Sequence, residues 1–279
     1  EGSRVSFMAA GNKRGLAQSI YQVGGNSGQA LAPLISAFLI LPFGMYGASV
    51  VLILTAIGIF MLTKIAIWYR KQLEEEKLSK VKKVLVSSLP PLTKKQVGIA
   101  LSLLLVIIFA RSFYVTNITN FYVFYLIQEY GLTIEKGQLL IFLFMACGVV
   151  GTFFGGSLSD RIGRKNVILI SVVVPIPLCL ALPYVPLWLV VILLIVIGSL
   201  IMISFSVTVV YAQELVPTKI GTMAGLTVGL AFGMGAIGSV LIGILMDKIG
   251  IETTMMIISA LPILMLVALA LPRDQVAKG

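Results

Sequence analysis

Two long apolar runs are separated by the short charged stretch Gly156-Ser157-Leu158-Ser159-Asp160-Arg161-Ile162-Gly163-Arg164-Lys165. Acidic and basic residues are concentrated here, together with glycines that permit a sharp reversal of the chain. Because about 20 apolar residues span the hydrocarbon core of a bilayer, a charged hairpin between two such runs is typical of a membrane surface. Lys and Arg are enriched in cytoplasmic loops, so we expect this hairpin inside the cell.

The composition predicts an all-α integral membrane protein. Apolar residues make up 58% of the 279 residues and charged residues only 11%, which is too little polar surface for a soluble globule. The net charge of +10 does not indicate nucleic-acid binding, because the basic residues lie between apolar runs and form no face with stacking aromatic rings. The chain has no histidine, and Cys147 and Cys179 lie inside apolar runs, so we expect no metal ion, no cofactor and no enzymatic activity.

The apolar runs predict about eight transmembrane helices. They cover residues 16–42, 45–68, 97–127, 138–158, 166–184, 187–212, 221–246 and 253–271. A polar, basic segment separates the second run from the third, so the helices divide into a group of two and a group of six.

The distribution of basic residues predicts the orientation. Of the 21 Lys and Arg residues, 17 lie in the first residues, the linker, the hairpin, the sixth-to-seventh loop and the C-terminal tail, whereas only Lys136 and Lys248 lie in the alternate loops. This asymmetry predicts a cytoplasmic C-terminus, and we expect a multi-pass protein of the plasma (inner) membrane. The chain opens with Glu1 and has no initiator Met, so we expect a longer protein of which this is a part.

The charges of the hairpin can hold two helical bodies together at one membrane face. Asp160 lies at the expected end of a helix, where a carboxylate can approach the positive N-terminal end of another helix. The hairpin arginines can pair with a carboxylate such as Glu214, at the end of the sixth run. The alternative interpretation is a loop that only fixes the topology.

The hairpin resembles motif A of the major facilitator superfamily, G-x-L-x-D-R-x-G-R-K, with every constrained position matched. The resemblance implies a helical bundle of that superfamily, in which the aspartate stabilises one access state with partners near Gly15. The gating motif would then consist of Gly156, Asp160, Arg161, Gly163, Arg164, Lys165 and their partner Glu214.

The position of the motif implies the domain organisation. Motif A lies between the second and third helices of each six-helix half, and here it occupies the second-half position. Residues 1–71 would be the last two helices of the N-terminal bundle, residues 72–96 a cytoplasmic linker and residues 97–279 a complete C-terminal bundle. About four N-terminal helices would be missing, and the carboxylate that couples transport to protons would lie among them.

The first run extends the resemblance to drug exporters. Gly28, Ala32, Pro33, Ser36 and Ala37 are similar to antiporter motif C, with small residues in place of several glycines. The sequence of the first 26 residues resembles the fosmidomycin resistance group. The resemblance implies a proton-coupled antiporter that exports a drug or small amphipathic or anionic compound; an importer or uniporter for a small nutrient is the alternative.

Small residues at four-residue spacing mark two candidate helix-packing stripes. Such stripes let helix backbones approach closely in membranes. The first comprises Gly24, Gly28 and Ala32 next to Pro33, and the second Gly225, Gly229 and Gly233.

Two groups of side chains are candidates for contact with a substrate. Four amides share an arc of the first helix and must face protein or water rather than lipid: Gln18, Gln22, Asn26 and Gln29. A charge in mid-membrane is costly, so Arg111 should face a cavity or a carboxylate, and three tyrosines share its face: Tyr114, Tyr122 and Tyr125. The alternatives are interhelical hydrogen bonding for the amides and a structural ion pair for Arg111.

Overall fold

The computed structural model describes residues 2, 14–78 and 92–272. The chain forms two compact units, one of residues 1–31 and 87–279 and the other of residues 32–86. The cytoplasmic positions predicted for most of the first 13 residues, for linker residues 79–91 and for the tail from residue 273 lie outside the described residues.

The second unit is a helical segment with one sharp irregularity. Helix α1, Arg14–Ile35, ends in this unit and continues through a short π-helix, Ser36–Ile40, into α2, Leu41–Leu78. Gly44 interrupts α2 with φ 56° and ψ −134°, a left-handed conformation that glycine adopts without steric cost.

The first unit contains the N-terminal part of α1 and a bundle of further helices. These are α3, Lys94–Tyr130; α4, Ile134–Ile162; α5, Arg164–Val173; α6, Pro175–Ala181; α7, Leu187–Leu215; α8, Ile220–Ile249; and α9, Ile251–Ala260. Short 3-10 helices follow α6 and precede α8, and a longer one, Leu261–Ala270, continues α9. The described residues contain no β-strand, as the composition predicts.

Six helical segments in the described part of the chain are long and apolar enough to cross a membrane. They are Lys94–Tyr130, Ile134–Ile162, Arg164–Tyr184, Leu187–Leu215, Pro217–Ile249 and Ile251–Ala270. These segments match the six apolar runs expected after the linker, so the prediction of an all-α membrane bundle is confirmed.

Local sequence signals set the helix boundaries. Thr93 caps α3 by accepting a hydrogen bond from the Gln96 amide, and the Gln96 side chain accepts one from the Thr93 amide. Gly131 ends α3 in the left-handed conformation. Gly163, with φ 91°, separates α4 from α5, which is the reversal that the hairpin sequence predicts.

The tightest helix packing lies on α4 and not on the two predicted glycine stripes. Gly151 and Gly155 of α4 lie against the backbone of Ser199 and Ile203 in α7, where any side chain would overlap a carbonyl oxygen. At the predicted stripe glycines, an added Cβ would have nothing within 4 Å among the described residues: Gly24, Gly28, Gly225, Gly229 and Gly233. A small-residue stripe permits close approach but requires a partner helix, and the structure supplies one for α4. Ala32 and Pro33 are exposed and half-buried, respectively.

We expect Gly155→Ala to lower the free energy of unfolding by about 1–3 kcal/mol, because the added methyl group overlaps the Ile203 carbonyl. The matched change Gly243→Ala in α8 places its methyl group at an ordinary 3.7 Å from Phe121 and should not destabilise the protein. Denaturation of the solubilised variants by a detergent titration measures both. Equal stability of the two variants would contradict the close α4 and α7 packing.

Candidate functional site

The carboxylate of Asp160 binds the N-terminus of α1. Its Oδ1 accepts a hydrogen bond from the Gly15 amide and its Oδ2 one from the Leu16 amide, both at 3.1 Å. The first amides of a helix have no partner within the helix and carry a partial positive charge, so a carboxylate there satisfies them and gains charge-assisted hydrogen bonds. The last turn of α4 is thereby joined to the first turn of α1.

Two glycines make this approach possible. A Cβ at Gly15 would lie 2.5 Å from the Gly156 carbonyl oxygen and 2.5 Å from the Ser159 hydroxyl. A Cβ at Gly156 would overlap the Ser19 hydroxyl and the Gly15 carbonyl. Any side chain at either position would push the helices apart and break the Asp160 contact.

A set of ion pairs surrounds the Asp160 contact. Arg164 Nη2 lies 3.5 Å from Asp160 Oδ1 and 2.9 Å from Glu214 Oε1, and Arg14 Nη1 lies 3.7 Å from the same Glu214 oxygen. The Glu214 side chain is only 2% exposed, and a buried carboxylate is tolerated only when it is paired. We call Arg14, the Gly15 and Leu16 amides, Asp160, Arg164 and Glu214 the α1 latch.

The other two basic residues of the hairpin lie outside the latch. Arg161 is exposed. Lys165 Nζ donates to the Leu269 carbonyl at 3.0 Å and to the Leu271 carbonyl, at the C-terminal end of the last helical segment. A cation there complements the negative end of a helix, so Lys165 joins the hairpin to that segment.

Further polar contacts follow the same side of α1 beyond the latch. The hydroxyl groups of Ser19 and Ser206 are 3.0 Å apart, and Asn26 Nδ2 donates to Thr152 Oγ1 at 3.1 Å. Ser19 and Asn26 lie four and eleven residues after Gly15, which are positions on one helical face. These hydrogen bonds add to the latch in joining α1 to α4 and α7.

A cavity of about 370 Å³ lies beside this face, between α1 and α8. It is lined by Tyr21, Gln22, Gly25, Asn26, Gln29, Gly221, Ala224, Gly225, Val228 and Phe232. Three of the four predicted amides thus come together at one cavity, whereas Gln18 is buried elsewhere on α1. Gly25, Gly221 and Gly225 leave the space that the cavity occupies.

Gln22 is the most buried of the amides that line the cavity. It is 7% exposed, and its Nε2 has no hydrogen-bond partner among the described residues. A buried donor without an acceptor is costly, but this nitrogen has almost no accessible surface, so it does not itself face the cavity.

Arg111 does not line the cavity. It lies inside the bundle, 2% exposed, and its Nη1 lies 3.3 Å from both the Ser204 and the Thr208 hydroxyl oxygens of α7. Its guanidinium also lies 4.8 Å from the centre of the Phe205 ring, an attractive cation–π geometry. Among the described residues, Arg111 therefore contacts two hydroxyl groups and an aromatic ring rather than a carboxylate.

The three predicted tyrosines belong to an apolar cluster of the bundle interior. Tyr114 and Tyr122 are buried, and Tyr125 stacks on Tyr122 and donates to the Pro183 carbonyl at 3.0 Å. They do not line the cavity described above, so substrate contact by Arg111 and these tyrosines stays a prediction.

Several residues of the site were not predicted from the sequence. The aromatic rings of Tyr21 and Phe232 flank the cavity, and Thr152 and Ser206 receive the polar contacts of α1. The α8 stripe was a signal for this region, although only its first member, Gly225, lines the cavity. Among the described residues, no group of three or more His, Cys, Asp or Glu side chains could hold a metal ion.

Comparison with known proteins identifies the family of the chain. The family model described as Major Facilitator Superfamily matches residues 4–231. The chain is 51% identical over 277 residues to the uncharacterised MFS-type transporter YfnC of Bacillus subtilis, covering 99% of this chain and 67% of the relative. It is 40% identical over 275 residues to the fosmidomycin resistance protein of Escherichia coli, again covering 99% of this chain and 67% of the relative.

These matches and the six apolar spans confirm the resemblance of the hairpin to this superfamily. The matched family consists of transporters rather than enzymes. The chain belongs to the Major Facilitator Superfamily of multi-pass membrane transporters.

Proposed function

We propose that this protein is a secondary active transporter that works by alternating access and exports a drug or small amphipathic or anionic compound in exchange for protons. The observation that carries the proposal is that one helix, α1, bears both the latch at its N-terminus and amides of the cavity farther along. Gly15 and Gln22 are seven residues apart, or about 10 Å along a helix. Movement of α1 therefore changes the latch and the cavity together.

The polar character of the α1 contacts suits a surface that opens and closes. A typical hydrogen bond contributes only about 0.5–1.5 kcal/mol net, because water replaces the partner when the contact opens. The contacts of Ser19 with Ser206 and of Asn26 with Thr152 can therefore be exchanged for water at modest cost. In the proposed cycle, the latched state closes the cytoplasmic face and release of the latch opens it.

The proposed domain organisation follows from the position of the hairpin motif in the superfamily, and the proposed orientation follows from the charge distribution. Residues 1–71 form the last two helices of one bundle, residues 72–96 the cytoplasmic linker and residues 97–279 the second bundle. The C-terminus lies on the cytoplasmic side of the plasma (inner) membrane. The excess of Lys and Arg in one set of loops supports this orientation.

The proposed partners are a small-molecule substrate, protons and further helices of the same protein. Proton coupling requires a carboxylate whose protonation changes between access states. The acids of this chain lie outside the middle of the apolar spans, and Glu129, Asp160, Glu214 and Asp247 lie near span ends. We therefore place the coupling carboxylate outside this chain.

Everted membrane vesicles that contain the complete gene product test the direction and the coupling. Acidifying the vesicle interior should drive uptake of fosmidomycin or another exported drug, and collapsing the pH gradient should abolish it. Vesicles without the protein provide the background. Transport in the opposite direction would favour an importer, and transport that does not depend on the pH gradient would favour a uniporter.

Asp160→Asn should reduce transport at least about tenfold while leaving the amount of inserted protein nearly unchanged. The amide keeps the size of the side chain but loses the charge and one of the two acceptors, and hydrogen bonds to charged groups contribute about 1.5–3 kcal/mol. Initial transport rates, normalised to membrane-inserted protein, measure the effect.

Arg161→Ala is the matched control, because it removes a charge from the same hairpin at an exposed position outside the latch. It should retain most of the transport rate. Equal losses in the two variants, or normal transport by Asp160→Asn, would reduce the hairpin to a topological signal.

A further inference from the structure

The C-terminal end of the last helical segment is bound by side chains of two other helices. Lys165, in the first turn of α5, donates to the carbonyls of Leu269 and Leu271. Tyr211, near the end of α7, donates through its hydroxyl group to the carbonyl of Pro272 at 2.9 Å. Carbonyls at the end of a helix have no partner within the helix and are often satisfied by water or by a local cap. Here they join three elements of the bundle.

Apolar contacts fix the same end of the segment. Leu271 is 2% exposed and belongs to the apolar cluster that includes Val167 of α5 and Leu215 of α7. Burial of a leucine side chain is favourable, so the chain at this point resists displacement. The carbonyls beside it therefore offer Lys165 and Tyr211 acceptors at a fixed position.

Both residues that bind this end are neighbours of α1 latch residues. Lys165 directly follows Arg164, whose guanidinium pairs with Asp160 and Glu214. Tyr211 lies three residues before Glu214, and residues at this spacing are neighbours on a helix surface. Because successive residues of a helix differ by about 100° in direction, binding of Lys165 to the carbonyls fixes the rotation of α5 that turns Arg164 toward Glu214.

We propose that Lys165 and Tyr211 are positioning residues of the α1 latch, and that the C-terminal end of the last helical segment sets how strongly the latch holds. This rests on the proposed function, in which release of the latch opens the cytoplasmic face. Displacement of the segment end frees the first turn of α5 and the last turn of α7, so Arg164 and Glu214 lose their alignment. The position of the segment end and the state of the latch are thereby coupled.

Labelling of a cysteine on α1 tests this coupling in the complete gene product. The reporter is Gln22→Cys, with Cys147 and Cys179 replaced by alanine, and a membrane-impermeant thiol reagent is applied from the cytoplasmic side. Lys165→Met removes the donor but keeps an unbranched side chain, and Tyr211→Phe removes only the hydroxyl group. Each change should speed labelling at least about fivefold, because a weaker latch raises the fraction of molecules in which α1 is released.

Two control variants make similar chemical changes away from the segment end. Arg161→Met removes a cation from the same hairpin at an exposed position, and Tyr184→Phe removes the hydroxyl group of an exposed tyrosine. Both should leave the labelling rate unchanged. Thermal melting of every variant in nanodiscs measures its stability separately. If Lys165→Met yields no folded protein, Tyr211→Phe decides the test.

A second background shows whether Lys165 acts through the latch. With Asp160 changed to asparagine, the contact that Lys165 supports is already weakened. Lys165→Met should then raise the labelling rate by less than about twofold, because two changes that act on one contact are not additive.

Labelling at the parental rate in either folded variant would overturn the proposal, because the carbonyl contacts would then only cap a helix. An equal gain from Lys165→Met with Asp160 intact or replaced would also overturn it. Failure of the transport proposal gives a different result. Labelling would then change as described, but vesicles would transport no compound under a pH gradient.

Discussion

The contact between the Asp160 carboxylate and the first amides of α1 is the interaction on which the rest of the site depends. Asp160 lies in the last turn of α4, where the carbonyl end of the helix disfavours a negative charge. The positive N-terminus of α1 and the guanidinium of Arg164 compensate for this position. The contact therefore lowers the energy of both helices only while they remain together.

The latch combines a close backbone approach with buried ion pairs. Gly15 and Gly156 bring the backbones so close that a small displacement removes the geometry for both Asp160 hydrogen bonds. Glu214 also depends on this arrangement, since its buried carboxylate is paired with Arg164 and Arg14 from opposite sides of the contact. In the proposed alternating-access cycle, release of α1 would expose these charges to water, which would compensate for the lost pairs.

The sequence predicts this half of the site well because its information is local. The charged hairpin, the helix reversal at Gly163 and the pairing of a hairpin arginine with Glu214 all follow from residue types beside apolar runs, and the structure contains each of them. The amide stripe of α1 follows from helical periodicity, which identifies residues on one face. Three of its four members line the cavity.

The unpredicted features depend on which helix faces which, and periodicity does not contain that information. The stripe of Gly225, Gly229 and Gly233 predicts close packing, but Gly225 borders a cavity, and the close contacts of α8 lie at Gly235 and Gly238, against α3. Arg111 was expected beside a substrate or a carboxylate, yet Ser204 and Thr208, more than 90 residues later, contact it. These pairings depend on the register between α3 and α7, which only the three-dimensional structure reveals.

The most direct test of the latch is the accessibility of a cysteine introduced at Gln22, in a background in which Cys147 and Cys179 are replaced by alanine. A membrane-impermeant thiol reagent would be applied from the cytoplasmic side, with Asp160 intact or changed to asparagine. The account predicts slow labelling while Asp160 is intact and labelling at least about tenfold faster in the Asp160→Asn background, because release of α1 opens the cavity inward. Identical rates in both backgrounds would contradict the central role of Asp160.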